Sequence, residues 1–136
     1  MKKKILKICS VTLLLAMMLS LNSYASSGSG SVTVPTSSVY VVGKYDVSRS
    51  GNYSYVNVLA QEIKPTSAST EDTYTKCKTV LYSQNIMVSN EVVLTEGIEA
   101  RVPMRESYLY VTYFNLCFAG NNPNLRAVVR FYYDGK

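Results

Sequence analysis

The chain has 136 residues, a formal charge of +5 and no histidine, which leaves room for one hydrophobic core and excludes imidazole-based catalysis and zinc sites. Four of its 14 basic residues, Lys2, Lys3, Lys4 and Lys7, crowd the first seven positions, so the remainder carries ten basic against nine acidic groups, a net +1. That balance, without any run of Lys and Arg, excludes a nucleic-acid partner.

Met1 to Ala25 reads as a secretory signal. The lysines lead into an apolar run, Val11 to Leu21, and Ser23-Tyr24-Ala25 puts small residues where a signal peptidase cuts. Lys7 shortens the continuous apolar stretch below the roughly 18 to 20 residues that span a bilayer, so cleavage rather than anchoring is expected. Cys9 precedes the apolar run instead of ending it, which argues against lipid attachment. With no second long apolar stretch, the expected product is a secreted chain of 111 residues from Ser26, free or retained at the cell surface, with no stable membrane span.

Ser26 to Ser31 (SSGSGS) has too little apolar surface to order itself and reads as a flexible leader, with one domain over residues 32–136. Beyond it, β-branched and aromatic residues dominate and breaks recur about every ten residues, which favours strands. Val32 to Val34 is a short strand closed by Pro35. Val39 to Val47 alternates, with Val39, Val41, Tyr45 and Val47 on one face. After the Arg49-Ser50-Gly51-Asn52 turn, Tyr53 to Ile63 puts Val56, Val58 and Ala60 inward, and the two segments are expected to form a hairpin. Lys64 to Thr73 (KPTSASTEDT) reads as a surface loop.

Thr75 to Ser83 returns to strand character, and Ile86 to Thr95 is a strand bent at Ser89-Asn90. Past Glu96-Gly97, Ile98, Ala100, Val102 and Met104 alternate against Glu99, Arg101, Pro103 and Arg105, and Pro103 suits an edge because it has no N–H to donate. Ser107 to Ala119 is apolar on both faces and belongs in the middle of a sheet. Gly120 to Asn124 is the strongest turn signal. Leu125, Ala127, Val129, Phe131 and Tyr133 then alternate against Arg126, Val128, Arg130 and Tyr132, and the last two strands are expected to pair as a hairpin. About seven short antiparallel strands predict an all-β sandwich, with a partly open β-barrel as the alternative.

Cys77 and Cys117 are the only cysteines past the signal, and an exported chain with two is expected to join them in a structural disulfide. The 39 residues between them fit no metal-binding or redox spacing. Without histidine or a free thiol, catalysis would need a carboxylate pair or a Ser-Lys dyad. Glu71-Asp72, Glu91, Glu96 and Glu99 fall in loops, turns or outward positions, so no catalytic residue, metal or cofactor is expected. Glu71-Asp72 lacks the rest of a calcium loop, and Asn52-Tyr53-Ser54 fits the short glycosylation pattern.

Tyrosine is the outlier, with 12 residues against three Phe and no Trp. Tyr45, Tyr113 and Tyr133 fall on inward faces. The stripe Arg126, Arg130 and Tyr132 combines cations with an exposed ring, which recognition surfaces favour. The expected function is a secreted, non-catalytic module that binds a protein or a cell-envelope glycan through a sheet face or loops, with this stripe as the candidate face. The alternative is a small secreted toxin or bacteriocin-like effector acting on target membranes, for which Ile86 to Met104, poor in core residues, supplies an amphipathic hairpin.

Overall fold

In the computed structural model, which describes residues 25–35, 39–66, 75–121 and 126–136, the alternating segments form β1 (Ser27–Val34), β2 (Val41–Ser48), β3 (Tyr55–Pro65), β4 (Lys76–Ser83), β5 (Ile86–Met87), β6 (Val92–Thr95), β7 (Glu99–Pro103), β8 (Tyr113–Gly120) and β9 (Ala127–Asp134). One sheet runs β1-β9-β3-β7 and the other β2-β8-β4-β5, with β6 also paired to β4. All pairings are antiparallel, and the sheets sandwich one core without closing into a barrel. The expected signal before Ala25, the loop residues Glu71 and Asp72, Leu125 and turn residues 122–124 lie outside the described residues.

Neither expected hairpin forms. Strands β2 and β3 belong to different sheets, as do β8 and β9. Alternation specifies which face of a strand is buried but not which strand lies beside it, and here the two strands of each expected pair stand in opposite sheets. Consequently Phe118 on β8 and Phe131 on β9 meet from opposite sheets, with ring centroids 4.6 Å apart.

The Ser26 to Ser31 leader is a strand. β1 pairs with β9 from Ser27 opposite Asp134 to Val34 opposite Ala127. Its serines are exposed while Gly28 and Gly30 face inward, and a Cβ on Gly30 would stand 2.7 Å from the Phe131 ring. Gly28 likewise lies under Tyr133, 3.1 Å from its hydroxyl to a built Cβ. The segment is ordered by backbone bonds and by rings from its neighbour, a source of order that its own composition does not reveal.

The expected disulfide is also absent, since Cys77 and Cys117 are free thiols. They lie on adjacent strands, but Cys77 sits opposite Gly120 and Cys117 opposite Val80. Three positions of offset carry the thiols roughly 10 Å apart along the strands at about 3.3 Å per residue, beyond disulfide reach. An odd offset also turns them to opposite faces: Cys77 packs in the core while Cys117 faces outward from β8. Burial pushes Cys77 up to about 12 and Cys117 up to about 11, so both are inert thiols at neutral pH. Reductant should therefore leave the melting temperature unchanged, and both cysteines should alkylate only after denaturation; protection from alkylation in denaturant without reductant would restore the bond.

Other expectations hold. Val56, Val58 and Ala60 are fully buried, as are Val129 and Phe131. Strand β8 lies between β2 and β4 in its sheet, and Pro103 lies on the edge strand β7. Ile86 to Thr95, expected as one strand bent at Ser89-Asn90, is instead two strands, β5 and β6, with Ser89 bridged to Met104. The stretch to Met104 is not poor in core, since Val88, Leu94, Val102 and Met104 are all buried.

Candidate functional site

The structure places Arg130 and Tyr132 on the outer face of the first sheet, opposite Ser31 and Ser29 of β1. Arg126 precedes β9, and its carbonyl accepts from the Thr66 backbone N–H at 3.0 Å. Arg130 is committed to Glu62 at 3.1 Å, and Lys64 holds the same carboxylate at 2.7 Å. Bonding to Lys64, with Arg130 behind it, lowers the Glu62 pKa. On this face two cations share the one Glu62 carboxylate, with the Tyr132 ring two positions along from Arg130.

Concavity belongs to the outer face of the second sheet. A cleft of about 380 Å³ is lined by Val39, Tyr40, Val42, Tyr82, Asn85, Asn115 and Cys117. Tyr82 and Asn115 also wall a second depression of about 260 Å³, with Asp46, Gln84 and Tyr113. Ser83 and Gln84 continue into a third, about 160 Å³, where Tyr108 and Tyr110 stand. Shared walls make the three one groove.

Its geometry follows from local backbone chemistry. Strand β2 carries two register shifts against β8, between Val42 and Lys44 and between Lys44 and Val47, and each inserts an extra residue. At the first, Gly43 lets the Phe118 ring approach, because a Cβ there would lie 2.6 Å from it. The bulges reset the alternation, so Tyr45 is 65% exposed rather than inward, while Val47 is fully buried. Tyr113, also expected inward, starts β8 opposite Ser48 and is 58% exposed; Tyr133 is buried as expected. Gln84 and Asn85 turn β4 into β5 with φ of 49° and 65°, the double positive φ of a tight hairpin turn.

Those two residues and Asp46 (φ 55°) are the non-glycine residues with positive φ among the described residues, and all three line the groove. Left-handed backbone is uncommon outside glycine and tends to collect where function requires it. Asn115 fixes one of them, its side-chain oxygen accepting from the Asp46 N–H at 3.2 Å. The chain matches no family model, no curated protein and no solved structure.

At the upper end Tyr40 lies beside Tyr82, ring centroids 6.3 Å apart, and donates its hydroxyl to Glu91. Lys78 pairs with the same carboxylate at 3.3 Å. The Tyr40 bond, then Lys78, lowers the Glu91 pKa, whereas burial and the Glu91 contact raise that of Tyr40. The signs fix the working window. Glu91 contributes above its ordinary value of 4.5 and is lost as pH falls through its lowered one; Tyr40 contributes below 10.0 and is lost as pH rises through its raised one. The groove wall is thus held in one charge state across neutral pH.

Of the other acidic candidates among the described residues, Glu96 accepts the Ile63 N–H at 2.6 Å, and Glu99 is exposed on the edge strand β7. Among the described residues no group of three His, Cys, Asp or Glu could hold a metal ion, and no helix is long and apolar enough to cross a membrane. Sequence reasoning missed Tyr82, Asn115, Gln84 and Asn85. The tyrosine excess and the Gln-Asn pair between two strand-like runs were the signals that could have found them.

Proposed function

We propose that this chain is an exported, non-catalytic binding module that holds a cell-envelope glycan in the groove across Tyr40, Tyr82 and Asn115. The observation that carries this reading is the convergence on that groove of all three left-handed non-glycine residues among the described residues. The lining suits a sugar chain. Tyrosine rings offer flat apolar faces to the C–H side of pyranose rings, while Asn85, Asn115 and Gln84 offer paired donors and acceptors to hydroxyls. Asp46 is the one charged residue in the lining, so the contact has little to lose to salt. The earlier stripe is a weaker candidate, because Arg130 already spends its charge on Glu62.

Co-sedimentation with purified envelope fractions tests this. Retention should be saturable, salt-resistant and indifferent to protease treatment of the fraction. Joint Tyr82→Ala and Asn115→Ala replacement should weaken it at least about tenfold, the scale of losing 1.4 kcal/mol of contact, while Arg130→Ala with Tyr132→Ala leaves it unchanged. Retention that survives in the groove variant, or that protease abolishes, would sink the glycan assignment.

A further inference from the structure

We propose that β1 is a self-association edge, through which two copies of the chain pair antiparallel across a twofold axis to join their first sheets. The described strands leave the sandwich four edges. Strand β2 is blunted by two bulges and by Lys44 and Asp46. Strand β7 carries Glu99, Arg101 and Pro103, and β5 and β6 are two and four residues long. Each is a recognised way of preventing edge-to-edge pairing. β1 has none of them: it is eight residues of SGSGSVTV, paired to β9 without a register shift, with no charge and no proline.

Past Ser26, the described residues give that edge no backbone partner. Ser26 closes the start of the strand, its N–H donating to the Ser48 carbonyl at 3.0 Å and its Oγ accepting from the Ser48 N–H at 2.8 Å. After Ser26, no hydrogen bond among the described residues reaches the side of β1 that faces away from β9. A row of backbone donors and acceptors there is a template for another strand.

A second copy fits it because the pattern is self-complementary. With Gly30 on the twofold, Ser29 faces the partner's Ser31 and Ser27 faces the partner's Thr33 on the outer surface. On the inner surface Gly28 faces the partner's Val32, a small residue against a branched one. Polar and apolar faces thus stay continuous through the joint, as strand parity requires, and no like charges oppose it. Closed twofold pairing is also the commonest form of homo-oligomer.

Sedimentation velocity over a range of concentrations, on the chain as its producing cell processes it, should show a reversible monomer–dimer equilibrium. Ser29→Glu with Ser31→Glu places carboxylates at exposed positions beside Arg130 and Tyr132, compatible with the monomer, yet opposes them across the twofold. The dimer constant should weaken at least about tenfold with an unchanged melting temperature. Independently, a Ser29→Cys/Ser31→Cys variant, which sets each new thiol opposite its counterpart across the twofold, should form a covalent dimer on mild oxidation where the native chain does not. A native chain that stays monomeric, a dimer that persists in the double glutamate variant, or failure of the cysteine variant to cross-link would each overturn the proposal.

Discussion

Replacing Arg49 with Met lowers the unfolding free energy by about 3 to 5 kcal/mol, several backbone acceptors being orphaned at once. Arg49 is only 1% exposed, the largest enclosed side chain among the described residues. Its guanidinium donates to the carbonyls of Ser50 at 3.0 Å, Leu109 at 2.7 Å and Val111 at 2.9 Å, and also to that of Tyr53. These acceptors belong to two loops 60 residues apart, the arch from β2 to β3 and the segment after the Glu106–Tyr108 turn. One planar fork with five donors satisfies both, a geometry that neither Met nor Lys can reproduce. Burial lowers the Arg49 pKa, which is the cost of enclosing a charge, and the carbonyl dipoles offset it.

Chemical denaturation of Arg49→Met checks the figure, and Arg49→Lys should recover only part of the loss because an ammonium cannot span both loops. Since Tyr108, Tyr110 and Val111 wall the third depression of the groove, ligand retention should weaken alongside stability. A melting temperature unchanged by either substitution would mean that other contacts hold the arch.

Phe131→Ala should cost about as much, roughly 3 to 5 kcal/mol for a large core aromatic. The Phe131 ring is fully buried against Phe118 from the facing sheet, and two glycines approach it, Gly30 on the neighbouring strand β1 and Gly43 on β2 of the opposite sheet. Glycines have no side chain with which to fill the void, so the cavity stays open and the penalty should lie at the upper end. The same geometry makes the pair strongly coupled. Gly30→Val alone should destabilise by about 1 to 3 kcal/mol through overpacking, but in the Phe131→Ala background it should recover stability. Equilibrium unfolding of the four chains closes the cycle, and additive effects would show that the ring and the glycine do not share one space.

These two sites mark where the sequence could and could not be read. Val56, Val58, Ala60, Val129 and Phe131 announce their burial by strict alternation, because period-two patterning is a property of one strand and the face it turns to the core. The all-β class, the central place of β8 and the edge position of Pro103 follow from the same local rules. Tyr45 escaped them: β2 carries two bulges, and each extra residue flips the face of everything beyond it. SGSGS escaped for the opposite reason, since its order comes from Phe131 and Tyr133 on a neighbour rather than from its own side chains.

The cysteines show the limit most sharply. Export chemistry argued for a bond, yet the register of β4 against β8 sets Cys77 and Cys117 on opposite faces, and register is decided by partners far away in the chain. The candidate site divides in the same way. An excess of tyrosine was legible from composition alone, as was the alignment of Arg130 with Tyr132. The groove required Tyr40, Tyr82, Asp46, Gln84 and Asn115 to converge from three separate segments, and Arg49 required two loops to close around it. The sequence by itself determined which residues turn inward along each unbroken strand, because that pattern is local. Which strands became neighbours, and so where a groove and a free edge were left, was decided only by the tertiary packing of segments distant in the chain.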